Sequence, residues 1–493
     1  MTPDGAPAAR SSHGISLPTA IRLVCHGCGY RVPLDAPRPF RCLNGEIRDN
    51  VDHVLRRAFD AKVFRSRENA RDVFLDPEPN PFRRYRGLLY SYEVARSAGL
   101  AESAYLRIVD RLDAAVSQVD GRGFVATPFD HQPKLAAALG VAPENLWVKD
   151  ETGNVSGSHK ARHLMGILIW LEIARRLEDR QEPAPRLAIA SCGNAALAAA
   201  VLARAAARPL DVFVPPDANP RVIERLRELD ARLEICSRHP DDPPGDPCFA
   251  RFLEAWIDGA LPFSVQIKRN GLTIEGGCTL GWEMVSTLLA QGRRLDHLFI
   301  QVGGGALAAA CIEALLNARW LGLIDRMPRI HTVQTESAWP LRRAWRALVR
   351  DLLDEGRRDG EDVDLATENG QALAIRDGIS GERLCRVLDR AAWNRGDYMW
   401  PWETPPHSIA HGILDDETYD WLAVTEGMLT TGGLALVASE NTLAEAHRLG
   451  SEHTTIQAEP TGTAGLAGLM QLVEAGLIGS DETAAVLFTG VER

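Results

Sequence analysis

Residues 146–176 read LWVKDETGNVSGSHKARHLMGILIWLEIARR. A short apolar strand, LWVK, gives way to a loop rich in Gly, Ser and Asn, and then to a helix over residues 164–176. Ser158 is suited to cap a helix that begins near His159. Lys160 then falls in the first helical turn, where the aligned peptide dipoles present positive charge. That field, together with burial, lowers a lysine's pKa and leaves an amine ready to form an imine. Taken alone, the same lysine reads as a surface residue near a helix start.

The pattern repeats on either side. Leu187–Ala190 is an apolar strand followed by residues 191–194 and an Ala-rich helix over 195–206. Leu210–Val214 leads through a Pro-rich turn into a helix over 222–229, and residues 297–302 lead through glycines into a helix over 306–316. Apolar strands alternating with helices imply an α/β fold with parallel sheets wound on both faces, and 493 residues are too many for one ordinary core. Ligands of such folds bind beyond the carboxyl ends of the strands. Residues 56–125 read as helical and charged, broken by prolines at 76–81.

Three further junctions carry chemistry. Ser191, Cys192, Gly193, Asn194 and Ala195 sit between a strand and a helix, where free N–H groups hold a carboxylate. Gly303, Gly304 and Gly305, followed by Ala306 and Leu307, form a turn whose N–H groups can wrap a phosphate. That turn lacks the Lys-Ser/Thr of a nucleotide loop and the spacing of a dinucleotide fingerprint. Thr489 ends an apolar strand near the C-terminus, in AVLFTGVER.

Val148 to Arg162 resembles the pyridoxal 5′-phosphate (PLP) lysine loop of threonine synthases and their relatives in the tryptophan-synthase-β superfamily, the fold-type II PLP enzymes. The resemblance implies that Lys160 carries PLP as a Schiff base and acts as general base. It implies that Asn194 bonds the PLP 3′-oxygen and that Ser191, Cys192 and Ala195 line the substrate-carboxylate pocket. Gly303, Gly304, Gly305, Ala306 and Leu307 become the phosphate cup, and Thr489 the partner of the pyridine nitrogen. Glu459-Pro460-Thr461-Gly462 is similar to the family's E-P-S/T-G turn. A neutral hydroxyl cannot keep the ring protonated, which favours elimination over transamination. Departures are Val155 for proline, His159 for phenylalanine, Cys192 for serine, and Ala161, which brings Lys160-Ala161-Arg162 closer to serine and threonine dehydratases. The expected reaction is β/γ-elimination or replacement on an amino acid, making the chain a PLP-dependent lyase. The alternatives are a dehydratase or ammonia-lyase giving a 2-keto acid, and a PLP-fold binding protein without turnover. The expected fold is two doubly wound parallel-sheet domains with an N-terminal zinc-ribbon-like module. The expected division is a disordered tail (1–17), the module (18–55), a large PLP-binding domain (56–180 and 281–493) and a small mobile domain (181–280).

Cys25-x-x-Cys28 with Cys42 has the spacing of a zinc ribbon short of one cysteine. His53 or Asp52 can complete the set, with His26 an outside candidate, and the expected ion is a structural zinc. A Cys-rich module of this kind also occurs on some threonine synthases. Residues 399–421 are dense in aromatic and polar side chains. His407 and His411 are spaced to share a helix face, and this segment is the place to expect an unusual substrate preference. A net charge of −11 without basic runs argues against nucleic acid and anionic membranes as partners. No apolar run approaches the roughly 18 residues of a membrane span. Nine scattered cysteines read as a reduced, cytoplasmic protein, and the family habit implies a homodimer.

Overall fold

The computed structural model describes residues 18–45, 49–178, 184–238, 246–358 and 366–493. The tail expected to be disordered, residues 1–17, lies outside the described residues. In chain order the strands are β1 (Ile21–Cys25), β2 (Leu55–Phe59), β3 (Phe129–His131), β4 (Leu146–Asp150), β5 (Leu187–Ala190), β6 (Leu210–Val214), β7 (Arg232–Ile235), β8 (Leu261–Pro262), β9 (His297–Gln301), β10 (Arg329–Thr335), β11 (Ala435–Ala438) and β12 (Ala484–Phe488).

Strands β9 and β12 are buried at every residue, so no face of them is left to water. Such strands belong inside a parallel sheet covered on both sides. They lie in a six-stranded sheet of order β11-β10-β9-β12-β4-β3, parallel except where β3 runs antiparallel to β4 at one edge. A second sheet, β7-β6-β5-β8, is parallel throughout. This is the doubly wound α/β architecture expected from the alternation. Strands β1 and β2 form an antiparallel pair that carries the cysteine module. The stretch read as helical from residue 56 is thus strand as far as Phe59. Its Leu-Arg-Arg-Ala-Phe side chains alternate buried and open at the first four residues, a period that suits a strand. Among the described residues no helix is long and apolar enough to cross a membrane.

The Lys160–Leu177 helix is buried along nearly its whole length and packs against the Thr273–Gln291 helix. Gly166 and Gly276 allow that approach, since a Cβ on Gly276 would collide with the Arg162 carbonyl. The contact is fixed by a buried charge cluster. Arg162 donates to Glu151 at 2.8 Å and to Glu283 at 2.6 Å, and Lys149 Nζ donates to Glu283 at 2.6 Å. Two cations meet two carboxylates, so no buried charge stands alone. The cluster ties β4, which supplies Lys149, to the helix that Lys160 opens.

Candidate active site

The loop between β4 and the lysine is curled by two successive left-handed residues, Ser156 at φ 56° and Gly157 at φ 67°. A Cβ on Gly157 would collide with Val491, so only glycine fits there. The loop then runs along the end of β12. Val491 N–H donates to the Gly157 carbonyl at 2.9 Å, Ser158 bridges Gly490, and His159 N–H donates to the Thr489 carbonyl at 3.3 Å. Ser158 is therefore extended rather than capping. The helix begins at Lys160 with His159 at its cap, and the Ser158 hydroxyl is buried without a partner. The bridge to Gly490 outweighs the local capping preference that the sequence suggests. Burial pushes the Lys160 ammonium pKa down, while Asp415, Asp420 and Glu459 oppose that shift.

Thr489 follows β12 directly and is 3% exposed. Its Oγ1 accepts a hydrogen bond from Gln301 Nε2 at 2.8 Å, and Gln301 also donates to the Gly462 and Leu487 carbonyls at 3.0 and 3.1 Å. With its oxygen already accepting, the Thr489 hydroxyl hydrogen is left to donate to a further group. Gln301 was not singled out from sequence, because inside an apolar strand it reads as core.

Asn194 opens the Asn194–Ala205 helix behind Gly193. Its Nδ2 donates to Glu459 Oε1 and its Oδ1 accepts from Arg493. Glu459 N–H donates to the Gly490 carbonyl at 2.9 Å, so Asn194, the Glu459 turn and the end of β12 meet. Ser191 N–H donates to the Phe213 carbonyl at 3.2 Å at the end of β5, Ala195 is buried, and Cys192 is an exposed free thiol.

Gly303, Gly304 and Gly305 turn the chain from β9 into the Ala306–Trp320 helix, whose first residues are Ala306 and Leu307. Gly305 sits at φ 103°. The turn is covered by residues 413–420, part of the segment expected to set an unusual substrate preference. A Cβ on Gly303 would strike the Asp415 carboxylate, one on Gly304 would lie 2.8 Å from the Tyr419 ring, and one on Gly305 would lie 2.9 Å from Asp420 Cβ. Thr418 Oγ1 donates to the Gly303 carbonyl at 2.9 Å, and Asp420 N–H donates to the Gly304 carbonyl at 3.1 Å. Burial pushes the Asp415 carboxyl up to about 6, against the pull of Lys160. Asp420 is 3% exposed, neither of its carboxylate oxygens has a hydrogen-bond partner, and burial pushes it well above the ordinary carboxylate range.

The remainder of the 399–421 segment lies farther out. Trp400 and Trp402 stack beside Arg343, with centroids 3.7 and 5.1 Å from its guanidinium carbon. His407 and His411 do not share a helix face. His407 lies in an exposed loop, and His411 begins the short 3-10 turn His411–Ile413, because the prolines before His407 prevent a continuous helix.

In the N-terminal module the ligand atoms of Cys25, Cys28, Cys42 and His53 all lie within 4.8 Å of one another. Cys25 Sγ is 3.5 Å from His53 Nδ1, Cys28 Sγ is 3.5 Å from Cys42 Sγ, and His53 Nε2 is 3.0 Å from Asp49. A metal-binding histidine usually has its second nitrogen held in this way. The other two candidates point elsewhere: Asp52 lies 3.3 Å from Arg395, and His26 lies 3.3 Å from Arg56.

Comparison with known proteins agrees with this arrangement. Residues 122–490 match the family model described as pyridoxal-phosphate dependent enzyme. A cysteate synthase of Methanospirillum hungatei is 27% identical over 371 residues, covering 72% of each chain. A threonine synthase of Methanosarcina acetivorans is 23% identical over 367 residues, covering 74% of each. Among solved structures, a T.th. threonine deaminase shares the fold with a TM-score of 0.53 at 21% identity, covering 78% of this chain and 98% of that one. With three quarters of its length matched and its strand-end junctions gathered around one lysine, the chain belongs to the pyridoxal-phosphate dependent enzyme family.

Proposed function

We propose that this chain carries out β- or γ-elimination, or replacement, on an amino-acid substrate, with Lys160 as both the cofactor-carrying amine and the general base. The observation that carries the reading is Lys160 itself, the first residue of a buried helix, with its ammonium form disfavoured by burial. The donor set fits PLP. The glycine turn offers N–H groups to a phosphate, Lys160 an amine to an aldehyde, Asn194 an amide to the ring oxygen, and Thr489 a hydroxyl hydrogen to an unprotonated ring nitrogen. When bound, the cofactor supplies the electron sink that makes the substrate α-proton acidic.

The chain's own residues do the rest. Burial shifts the Lys160 amine toward its uncharged form, the form that takes the α-proton. The N–H groups at the start of the Asn194–Ala205 helix, with Ser191, Cys192 and Ala195 around them, orient the substrate carboxylate. Cysteate synthase and threonine synthase relatives support replacement, and an L-threonine dehydratase of Haemophilus influenzae, 24% identical over 387 residues, keeps the keto-acid outcome open. The four-donor cluster of Cys25, Cys28, Cys42 and His53 suits a structural zinc with every position filled. The acidic balance and unpaired cysteines support a cytoplasmic protein without a nucleic-acid or membrane partner, and the family habit supports a homodimer.

The test is a panel of O-phosphohomoserine, serine, phosphoserine and diaminopropionate given to the PLP-loaded protein. Release of phosphate, ammonia or keto acid from at least one is expected, and the product pattern separates replacement from dehydration. Full PLP binding with no product from any amino acid would instead support a binding protein of this fold.

A further inference from the structure

Strand β9 ends at Gln301 and the next helix begins at Ala306, so the peptides of Gly303 and Gly304 belong to neither ladder. Glycine peptides without a ladder bond rotate readily, and a rotated peptide presents an acceptor where it had presented a donor. Here the peptides are pinned from outside. The Gly303 carbonyl accepts the Thr418 hydroxyl at 2.9 Å, and the Gly304 carbonyl accepts the Asp420 N–H at 3.1 Å. The Gly305 carbonyl accepts the Ala309 N–H at 2.9 Å, as the helix starts.

A trans peptide sets each carbonyl opposite the N–H of the following residue. Three anchored carbonyls therefore aim the N–H groups of Gly304, Gly305 and Ala306 away from their anchors. Two of the anchors are main-chain groups, which any side chain would leave in place. The third is the hydroxyl of Thr418, a residue with no exposed surface.

We infer that Thr418 is a positioning residue for the cofactor phosphate: its hydroxyl holds the Gly303 carbonyl back and thereby aims the Gly304 N–H into the phosphate cup. The inference rests on the proposed role of the glycine turn as the phosphate site. Without the hydroxyl, the peptide between Gly303 and Gly304 is free to turn its oxygen toward the phosphate, which repels it. Thr418 touches neither the reacting carbon nor the leaving group; it acts through the backbone of the turn. Part of the 399–421 segment thus serves the cofactor rather than substrate choice.

The experiment measures dissociation constants for PLP and for pyridoxal, which lacks the phosphate, by cofactor absorbance. The proteins are the wild type, Thr418→Val and Thr418→Ser, with thermal melts confirming that each is folded. Thr418→Val fills the same space without a donor. It should bind PLP about tenfold more weakly, and pyridoxal within about twofold of the wild type. Thr418→Ser keeps the hydroxyl and should bind PLP within about twofold of the wild type. If Thr418→Val does not fold, Thr418→Ala carries the same comparison. Equal weakening of both ligands overturns the inference, because a merely structural hydroxyl would loosen the whole site. So does a Thr418→Ser as weak as Thr418→Val, which would trace the effect to the methyl group. A wild type that binds PLP no more tightly than pyridoxal overturns the phosphate-cup reading and the inference with it. A wild type that prefers PLP, beside a Thr418→Val that binds PLP equally well, overturns only the role of Thr418.

Discussion

Gln301 Nε2 donates to Thr489 Oγ1 at 2.8 Å, across the parallel pair β9 and β12. The bond settles which way the threonine hydroxyl is polarised. Its oxygen is engaged, which leaves its hydrogen free to donate, and under the proposed function an unprotonated ring nitrogen would be the acceptor.

Reversing that polarity should cost activity without removing the cofactor. Gln301→Glu replaces the donor by an acceptor, and the Thr489 hydroxyl hydrogen then turns toward the new carboxylate. Turnover should fall by about tenfold to a hundredfold, as for loss of one preorganised donor. Thr489→Ser should keep most activity and Thr489→Val should lose it to a similar degree. Steady-state kinetics at saturating PLP check both, and unchanged turnover in Gln301→Glu would remove the role assigned to the hydroxyl.

The buried charge cluster makes a stability prediction. Glu283 is 3% exposed and faces both Arg162 and Lys149 at 2.6 Å. Glu283→Gln leaves those cations undercompensated and should destabilise the chain by roughly 3–5 kcal/mol in denaturant unfolding. Burial pushes the Glu283 carboxyl up, but the two cations outweigh it and hold its pKa below the ordinary 4.5. Its contribution is therefore complete above that value and is lost as the pH falls through the lower folded value. Unfolding free energy measured down an acid series should show a loss in the wild type that Glu283→Gln lacks.

Metal removal should act on stability rather than chemistry. About one zinc per chain is expected by elemental analysis, and Cys28→Ser or His53→Ala should lose it. The first melting transition should then drop, because the ion would tie the loops that carry Cys28, Cys42 and His53 to the end of β1. Zinc retained in full by both variants would contradict the ligand set.

Much of this was legible in the sequence for a physical reason. Lys160, Asn194, Gly303 and Thr489 each stand at a strand–loop–helix junction or a strand end, and local periodicity marks those places without any tertiary information. The N-terminal donors were legible up to a choice. Spacing put His53 in the set with Asp52 as the other choice, and the structure groups His53 with the three cysteines while Asp52 lies 3.3 Å from Arg395. Asp415 was not legible as a site residue. The glycine turn it packs against is more than a hundred positions away, so no local pattern ties the two together. Gln301 and Glu283 were hidden differently, since a polar residue within an apolar strand or helix reveals its partner only once the layers are stacked. The misread cap at Ser158 has the same origin, because the bridge to Gly490 comes from the opposite end of the chain.

Borohydride reduction of the purified, PLP-loaded protein, followed by peptide mass spectrometry, tests the assignment of Lys160 most directly. The expected result is a stable cofactor adduct on Lys160, with loss of the near-visible absorbance on reduction and neither signal in Lys160→Ala. An adduct on another lysine, such as the buried Lys149 or the partly buried Lys268, or a reducible chromophore that survives in Lys160→Ala, would contradict it.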